Sequence, residues 1–420
     1  MCCPSTAIMP KWASLFKVRL SDGAVIWWSA KGRMANGALI RDYTFRTMSV
    51  VVSGDLVYEI GGTFYPTGPQ RSFAVRDDMG PTYDSFYDSI APDIEHQANF
   101  THGILNSSGD HIWMPSPLMV HRVEANSGKC VFEKSIDSSF VANIGDGNTP
   151  YLKESNPERW VASAPSDGFV NWDNNSLMVR SYDNSGSSRG TLSGVRWFCD
   201  HDADHFICVR QATSPLVEKR LKINPAGSPT DTFPGLSVYI PDKLSSNGKN
   251  VSFTRNGTAF VLNEDFDVIV ESGDPTFSMT GGGSNPYLTA TGTDGIYLLF
   301  NKYSSYSDGK LLIRKLTDDG LAWSKTLNTV DVSNTFYYVT RVIERDDVVY
   351  LSGWWKDADS GKIMNLAALD AETGDVIWQR QLVKLTSESL GGATINSPGL
   401  HFTFKGEFLF LACNGTVKIG

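Results

Sequence analysis

An all-β fold is what this sequence predicts: a single β-propeller of eight four-stranded blades, with seven as the alternative. Three observations lead there. A strand–turn–strand pattern recurs along the chain at a spacing of about 50 residues. Two further strand-like runs precede the copies at Gly80, Gly320 and Gly374. The two ends of the chain hold complementary parts of one unit. Four short strands per unit, joined by tight turns, is the composition of a propeller blade.

The best copy runs from Leu366 to Trp378. Leu366 to Leu369 is an apolar run. Asp370 and Glu372 to Asp375 are turn residues, and Gly374 supplies the positive φ that such a turn needs. Val376, Ile377 and Trp378 are strand formers on the way out. In chain order, the other copies are Phe16 to Trp27 with its turn at Gly23, Phe73 to Gly80, Val120 to Phe132 with Gly128, and Leu312 to Trp323 with Gly320. Between Gly128 and Gly320 there is room for about three more units. Degraded copies lie there, around Met178 to Gly186, Leu216 to Gly227 and Phe260 to Ile269.

The preceding strand pairs are Met48 to Val52 with Leu56 to Ile60, Tyr287 to Ala290 with Gly295 to Phe300, and Phe336 to Ile343 with Asp347 to Trp354, the last pair joined by Arg345-Asp346. The C-terminus offers Leu400 to Phe404 and Glu407 to Cys413, while the first copy lacks its two leading strands. Joined, these ends complete one blade and leave no large open sheet edge. The organisation expected is an N-terminal extension over 1–14, a propeller over 15–413, and a tail or extra strand over 414–420. No Pro/Ser-rich linker or charge block marks a second domain.

The pattern Leu-Asp-Ala-x-Thr-Gly-x-x-x-Trp, carried by Leu369 to Trp378, resembles the repeat of the quinoprotein-like (PQQ-like) eight-bladed propellers. Tyr58-Glu59-Ile60-Gly61-Gly62 also has a kelch-like look. The resemblance speaks to architecture, since one fold hosts many functions. Quinone-cofactor enzymes of that fold resemble one another in a vicinal Cys-Cys ring above the cofactor, a Trp beneath it, and Ca²⁺ with an Asp base. The vicinal pair here, Cys2-Cys3, precedes the first blade, so no cofactor residue is carried over. The expectation is no cofactor and no catalytic residue.

The strongest cluster of liganding side chains is Cys199-Asp200-His201-Asp202-Ala203-Asp204-His205. Asp200, Asp202 and Asp204 alternate in a way that suits Ca²⁺. Cys199, His201 and His205 are of the type that binds Zn²⁺. No Gly provides the sharp turn of a calcium loop, and no second ligand pair follows. The weightier reading is a polar hairpin turn between Val195 to Phe198 and Phe206 to Arg210. Thr317 to Trp323 resembles a sialidase-type turn only loosely, because Asp319 and Gly320 are adjacent. A nucleophile elbow, a P-loop and a His-Glu-x-x-His motif are all missing. His96, His102, His111 and His121 fall in one unit, on different strands and turns. Trp27-Trp28 and Trp354-Trp355 each point one ring inward and one outward if extended. The outward ring is a candidate contact anchor, and packing between blades is the alternative.

The net charge of −9 comes with scattered basic residues, which argues against nucleic acid. No apolar run is long enough for a membrane helix. The first ten residues lack a basic start and an apolar core, so synthesis in the cytoplasm without a signal peptide is expected. Asn-x-Ser/Thr triplets at Asn250 and Asn414 then read as turns. The six cysteines read as reduced thiols.

These features favour a non-enzymatic module that binds other proteins of a large assembly, in several symmetric copies and with no membrane insertion. Low charge with abundant Ser, Asn, Gly, Tyr and Trp resembles the virion proteins of tailed bacteriophages: tail, baseplate or head-fibre components. Two alternatives come from other classes. One is a scaffold similar to the propeller-type outer-membrane assembly lipoprotein. The other is a carbohydrate-active or quinone-dependent enzyme.

Overall fold

Alternation along single strands shows how this chain builds its core. In Lys362–Asp370, Leu366 and Ala368 face one way and pack with Phe16, Val18, Tyr350, Trp378, Leu409 and Leu411. Ala367 and Leu369 face the other way and pack with Tyr297, Leu299, Ile313, Trp323 and Leu351. A strand buried on both faces needs apolar residues in succession, which is why Leu366 to Leu369 reads as a continuous run. The sheet thus lies between two neighbours and contributes to two cores.

The computed structural model describes residues 11–29, 33–35, 38–40, 45–63, 73–76, 104–105, 109–115, 119–125, 130–135, 162–163, 168–173, 177–183, 185, 187–201, 205–210, 216–221, 231–232, 243–255, 258–263, 265, 267–272, 288–302, 310–327, 335–356, 362–385 and 400–419. Among these residues every regular element is a strand and every pairing is antiparallel. Seven sheets have four strands and one, over 45–76, has three. A two-stranded hairpin, Arg33–Ala35 with Ala38–Ile40, stands apart from them.

Six of the four-stranded sheets are made from strands consecutive in sequence, over 104–135, 162–193, 195–232, 243–272, 288–327 and 335–385. The seventh joins the chain ends in the order Val25–Ser29, Lys11–Arg19, Phe408–Ile419, Leu400–Lys405. The two C-terminal strands therefore supply the leading half that the first copy lacks. Phe408–Ile419 runs through residues 414–419, and Lys11 to Ala13 pair with Val417 to Ile419.

Seven of the sheets meet through their leading strands. Val195–Asp200 packs on Lys243–Ser246, which packs on Leu288–Thr291, then Thr335–Arg345, Leu400–Lys405, Phe45–Ser53 and Ile104–Leu105. Short antiparallel sheets stacked through their leading strands form an all-β propeller arrangement.

The turns follow the sequence closely, with one shift. Gly23, Gly320 and Gly374 have φ of 70°, 106° and 73°. The turns expected at Gly80 and Gly128 lie outside the described residues. The hairpin before the best copy turns at Asp346-Asp347, one residue later than expected, with Thr335–Arg345 leading in and Val348–Lys356 leading out. Both aspartates take positive φ, 52° and 59°. Two successive left-handed residues suit the right-handed twist of a hairpin, and Asp tolerates that region better than most residues.

Candidate functional site

The repeated turn is built from side chain to backbone. The Asp370 carboxylate accepts the Glu372 and Thr373 amides at 3.0 and 2.7 Å and the Thr373 hydroxyl at 3.0 Å. Asn263 accepts the Asp265 and Asp267 amides at 3.0 and 2.9 Å. Asp183 accepts the Ser185 and Ser187 amides at 2.8 and 2.9 Å. Asp22 accepts the Ala24 amide at 3.0 Å and is forked by the Arg19 guanidinium. Such local bonds are the reason Asp and Asn mark turns. They also hold carboxylates ionised. The Arg19 hydrogen bond keeps Asp22 below the usual carboxylate range. The Thr373 amide and hydroxyl do so for Asp370, the Ser185 hydroxyl for Asp183, and Lys325 for Asp375.

The turns at Asp370 and Asp22 also receive the preceding sheet. The Trp323 indole N–H donates to the Ala371 carbonyl at 3.1 Å, and its ring fills the space where a Cβ on Gly374 would stand. The buried Lys315 ammonium donates to the same carbonyl at 3.0 Å and pairs with Asp294 at 2.7 Å. Trp378 repeats the arrangement on Leu20 and Gly23. Tyr58 uses its hydroxyl for the same purpose, donating to the Ala125 carbonyl at 2.7 Å. Beside the Lys315 contact, the Tyr297 hydroxyl donates to Glu344, which also accepts the Thr293 amide at 3.1 Å. Burial, then the Glu344 charge, push the Tyr297 phenol well above its ordinary pKa. These groups lock sheet to sheet.

What the turns leave outside is an apolar rim. The exposed large hydrophobic side chains among the described residues are Val25, Ile26, Val268, Leu321, Val376 and Ile377, between 40% and 54% exposed. All six stand in the first residues of outermost strands: Val25–Ser29, Val268–Ser272, Gly320–Leu327 and Val376–Leu385. Those strands belong to four sheets that follow one another. Three of these sheets interlock at the rim, where Trp323 and Lys325 lie over Gly374 while Trp378 and Arg380 lie over Gly23. Single exposed hydrophobics are ordinary on a protein surface. Repetition at one position of four neighbouring units is not.

The loop singled out for metal binding is, in its described part, a hairpin end. Asp200 ends Val195–Asp200 and His205 opens His205–Arg210. The His201 amide donates to the His205 carbonyl at 3.3 Å. The His201 ring nitrogen Nδ1 meets the Ser246 hydroxyl of the next sheet at 2.5 Å. Asp202 and Asp204 lie outside the described residues, and no group of three or more metal-ligating side chains stands among those described. Cys208 is buried and in no disulfide among the described residues. His111 pairs with Asp110 at 3.1 Å, while His96, His102 and the His121 side chain fall outside the described parts. The side chains of Trp27, Trp28, Trp354 and Trp355 do so too. The rim aliphatics were not singled out in the sequence. Their signal is two aliphatics in a row after an acidic turn, which an alternating strand cannot both bury on one face.

No protein-family model matches the chain, and no curated protein matches it by sequence. Solved structures do. The chain is similar to the quinohemoprotein alcohol dehydrogenase of Comamonas testosteroni at 10% identity, covering 96% of this chain and 76% of that one with a TM-score of 0.46. A quinohemoprotein alcohol dehydrogenase of Pseudomonas putida HK5, ADHIIG, shares 10% identity over 98% of this chain and 76% of its own, with a TM-score of 0.45. The WD40 domain of SCAP from fission yeast shares 8% identity over 88% and 96%, with a TM-score of 0.43.

Proposed function

We propose that this chain is a non-enzymatic, protein-binding propeller that serves as a structural part of a large assembly. In this reading its eight sheets form one closed ring, sealed where the chain ends share a sheet. The rim carries the proposal: aliphatic side chains held half-exposed at the same position of four successive units, on a frame interlocked by Trp323, Trp378 and Lys315. A rigid disc with a repeated apolar edge is suited to burial against another protein. The assembly that best fits the composition is the virion of a tailed bacteriophage, with the protein made in the cytoplasm and built into the tail, baseplate or head fibre.

Sedimentation of the untagged protein from its native source tests this. Travel with a large particle supports the reading. Travel alone at the mass of one chain overturns it, and screening metals and glycans against the purified protein would then come next.

A further inference from the structure

Resting on that reading, we propose that the rim takes an extended segment of a partner protein, one that alternates aliphatic residues with Lys or Arg. Three observations define this occupant. The aliphatic side chains, Leu321 and the pair Val376 and Ile377 foremost, call for apolar contacts. The strands that carry them, Gly320–Leu327 and Val376–Leu385, are each the last in their sheet. An outermost strand offers backbone N–H and C=O groups to an added strand, and alternate side chains of that strand then meet the rim.

Charge selects the partner. Asp265, Asp267, Asp318, Asp319 and Glu372 lie exposed on the turns that lead into Val268–Ser272, Gly320–Leu327 and Val376–Leu385. Of the cations beside them, Arg19 is engaged by Asp22 and Lys325 by Asp375, at 3.0 and 2.7 Å. Arg380 is a further exposed cation, and it acts on Asp22. The rim is therefore apolar and anionic. A second copy laid rim to rim would bring carboxylates together, and nucleic acid or an anionic lipid surface would meet the same repulsion. A segment that places ammonium or guanidinium groups beside its aliphatic residues satisfies both features.

The test uses the full chain and a synthetic peptide of alternating valine and lysine, with binding followed by fluorescence anisotropy at low and high salt. Two control peptides replace lysine by glutamate or valine by serine. The valine–lysine peptide should bind, more weakly at high salt, and both controls should fail. Leu321→Ser combined with Ile377→Ser should weaken binding about tenfold or more. Asp318→Asn with Asp319→Asn should weaken it at low salt and little at high salt. Unchanged circular dichroism and melting temperature would show that these surface variants still fold. Failure of the valine–lysine peptide to bind would overturn the proposal. So would equal binding of the serine control, or indifference to both double variants.

The two readings fail separately. If wild-type protein and the Leu321→Ser, Ile377→Ser variant both travel with the particle, the assembly reading stands and the rim is not its contact. If the wild type travels alone yet binds the peptide through these residues, the rim stands and the assembly reading fails.

Discussion

The Trp378 indole donates to the Leu20 carbonyl at 2.6 Å, joining residues 358 apart in sequence. The ring stands where a Cβ on Gly23 would sit, with Cε3 at 2.6 Å. Gly23 has φ of 70°, so a side chain there would be strained as well as crowded. We expect Gly23→Ala to cost about 2–4 kcal/mol in denaturant unfolding, from overpacking added to left-handed backbone. Gly54 is the control. Its φ is 51°, but nothing lies within 4 Å of its would-be Cβ. Gly54→Ala should cost about 1 kcal/mol. Equal costs at the two sites would remove the docking role assigned to Trp378.

That pair also shows what the sequence could and could not tell. Gly23, Gly320 and Gly374 were legible because a turn needing positive φ is a local property. The partnership of Trp378 with Gly23 was not, because it depends on which sheets become neighbours. The meeting of the chain ends was legible, since each end lacked what the other held. The turn at Asp346-Asp347 was misplaced by one residue because Arg345, Asp346 and Asp347 are all plausible turn residues. The rim stayed hidden for a related reason. Leu321 and Val376 look like any strand residue until the sheet order shows that, among the described residues, no strand lies beyond theirs.

The Tyr297 phenol yields a prediction at the alkaline end. It donates to Glu344 between two sheets, so Tyr297→Phe should cost about 1.5–3 kcal/mol at neutral pH. Its folded pKa is raised, first by burial and then by Glu344. The unfolded chain therefore ionises first, at about pH 10. Stability is full below that pH and declines as pH rises beyond it. Tyr350, raised by burial, adds to the same decline. Tyr297→Phe should lose stability more gradually than wild type above about pH 10, as read from unfolding curves across alkaline pH. Identical slopes would show that Tyr297 ionises freely in the folded chain.

At the acid end the sign reverses. Asp22, Asp183, Asp370 and Asp375 all have folded pKa values below the usual carboxylate range, through hydrogen bonds that need the ionised form. Their contribution is complete above about pH 4 and is lost as pH falls through the lower folded values. Each is exposed, so each effect is small and the sum is what a melting curve reads. Asp370→Ala should lower the melting temperature at neutral pH and flatten its fall in acid. A fall in acid as steep as in wild type would mean that the Asp370 turn does not discriminate ionised from protonated carboxylate.

The last prediction concerns a buried amide. Asn365 is fully buried, yet among the described residues no protein group bonds its Nδ2 or Oδ1, and the Gln379 Nε2 is likewise unsatisfied there. By strand alternation Asn365 shares a face with Ala367 and Leu369, which pack against Tyr297, Leu299 and Trp323 in the neighbouring sheet. A buried amide without partners forfeits its hydration and gains nothing in return, a penalty of about 1–3 kcal/mol. Leucine has a similar volume and suits that apolar face. Asn365→Leu should therefore stabilise the protein by about 1–3 kcal/mol, raising the denaturant midpoint at unchanged slope. Asn365→Asp should do the opposite, because it buries a charge in the same place. A loss of stability in Asn365→Leu would show that the amide's hydrogen-bonding capacity is used in solution, and that this polar position stabilises the contact between the two sheets.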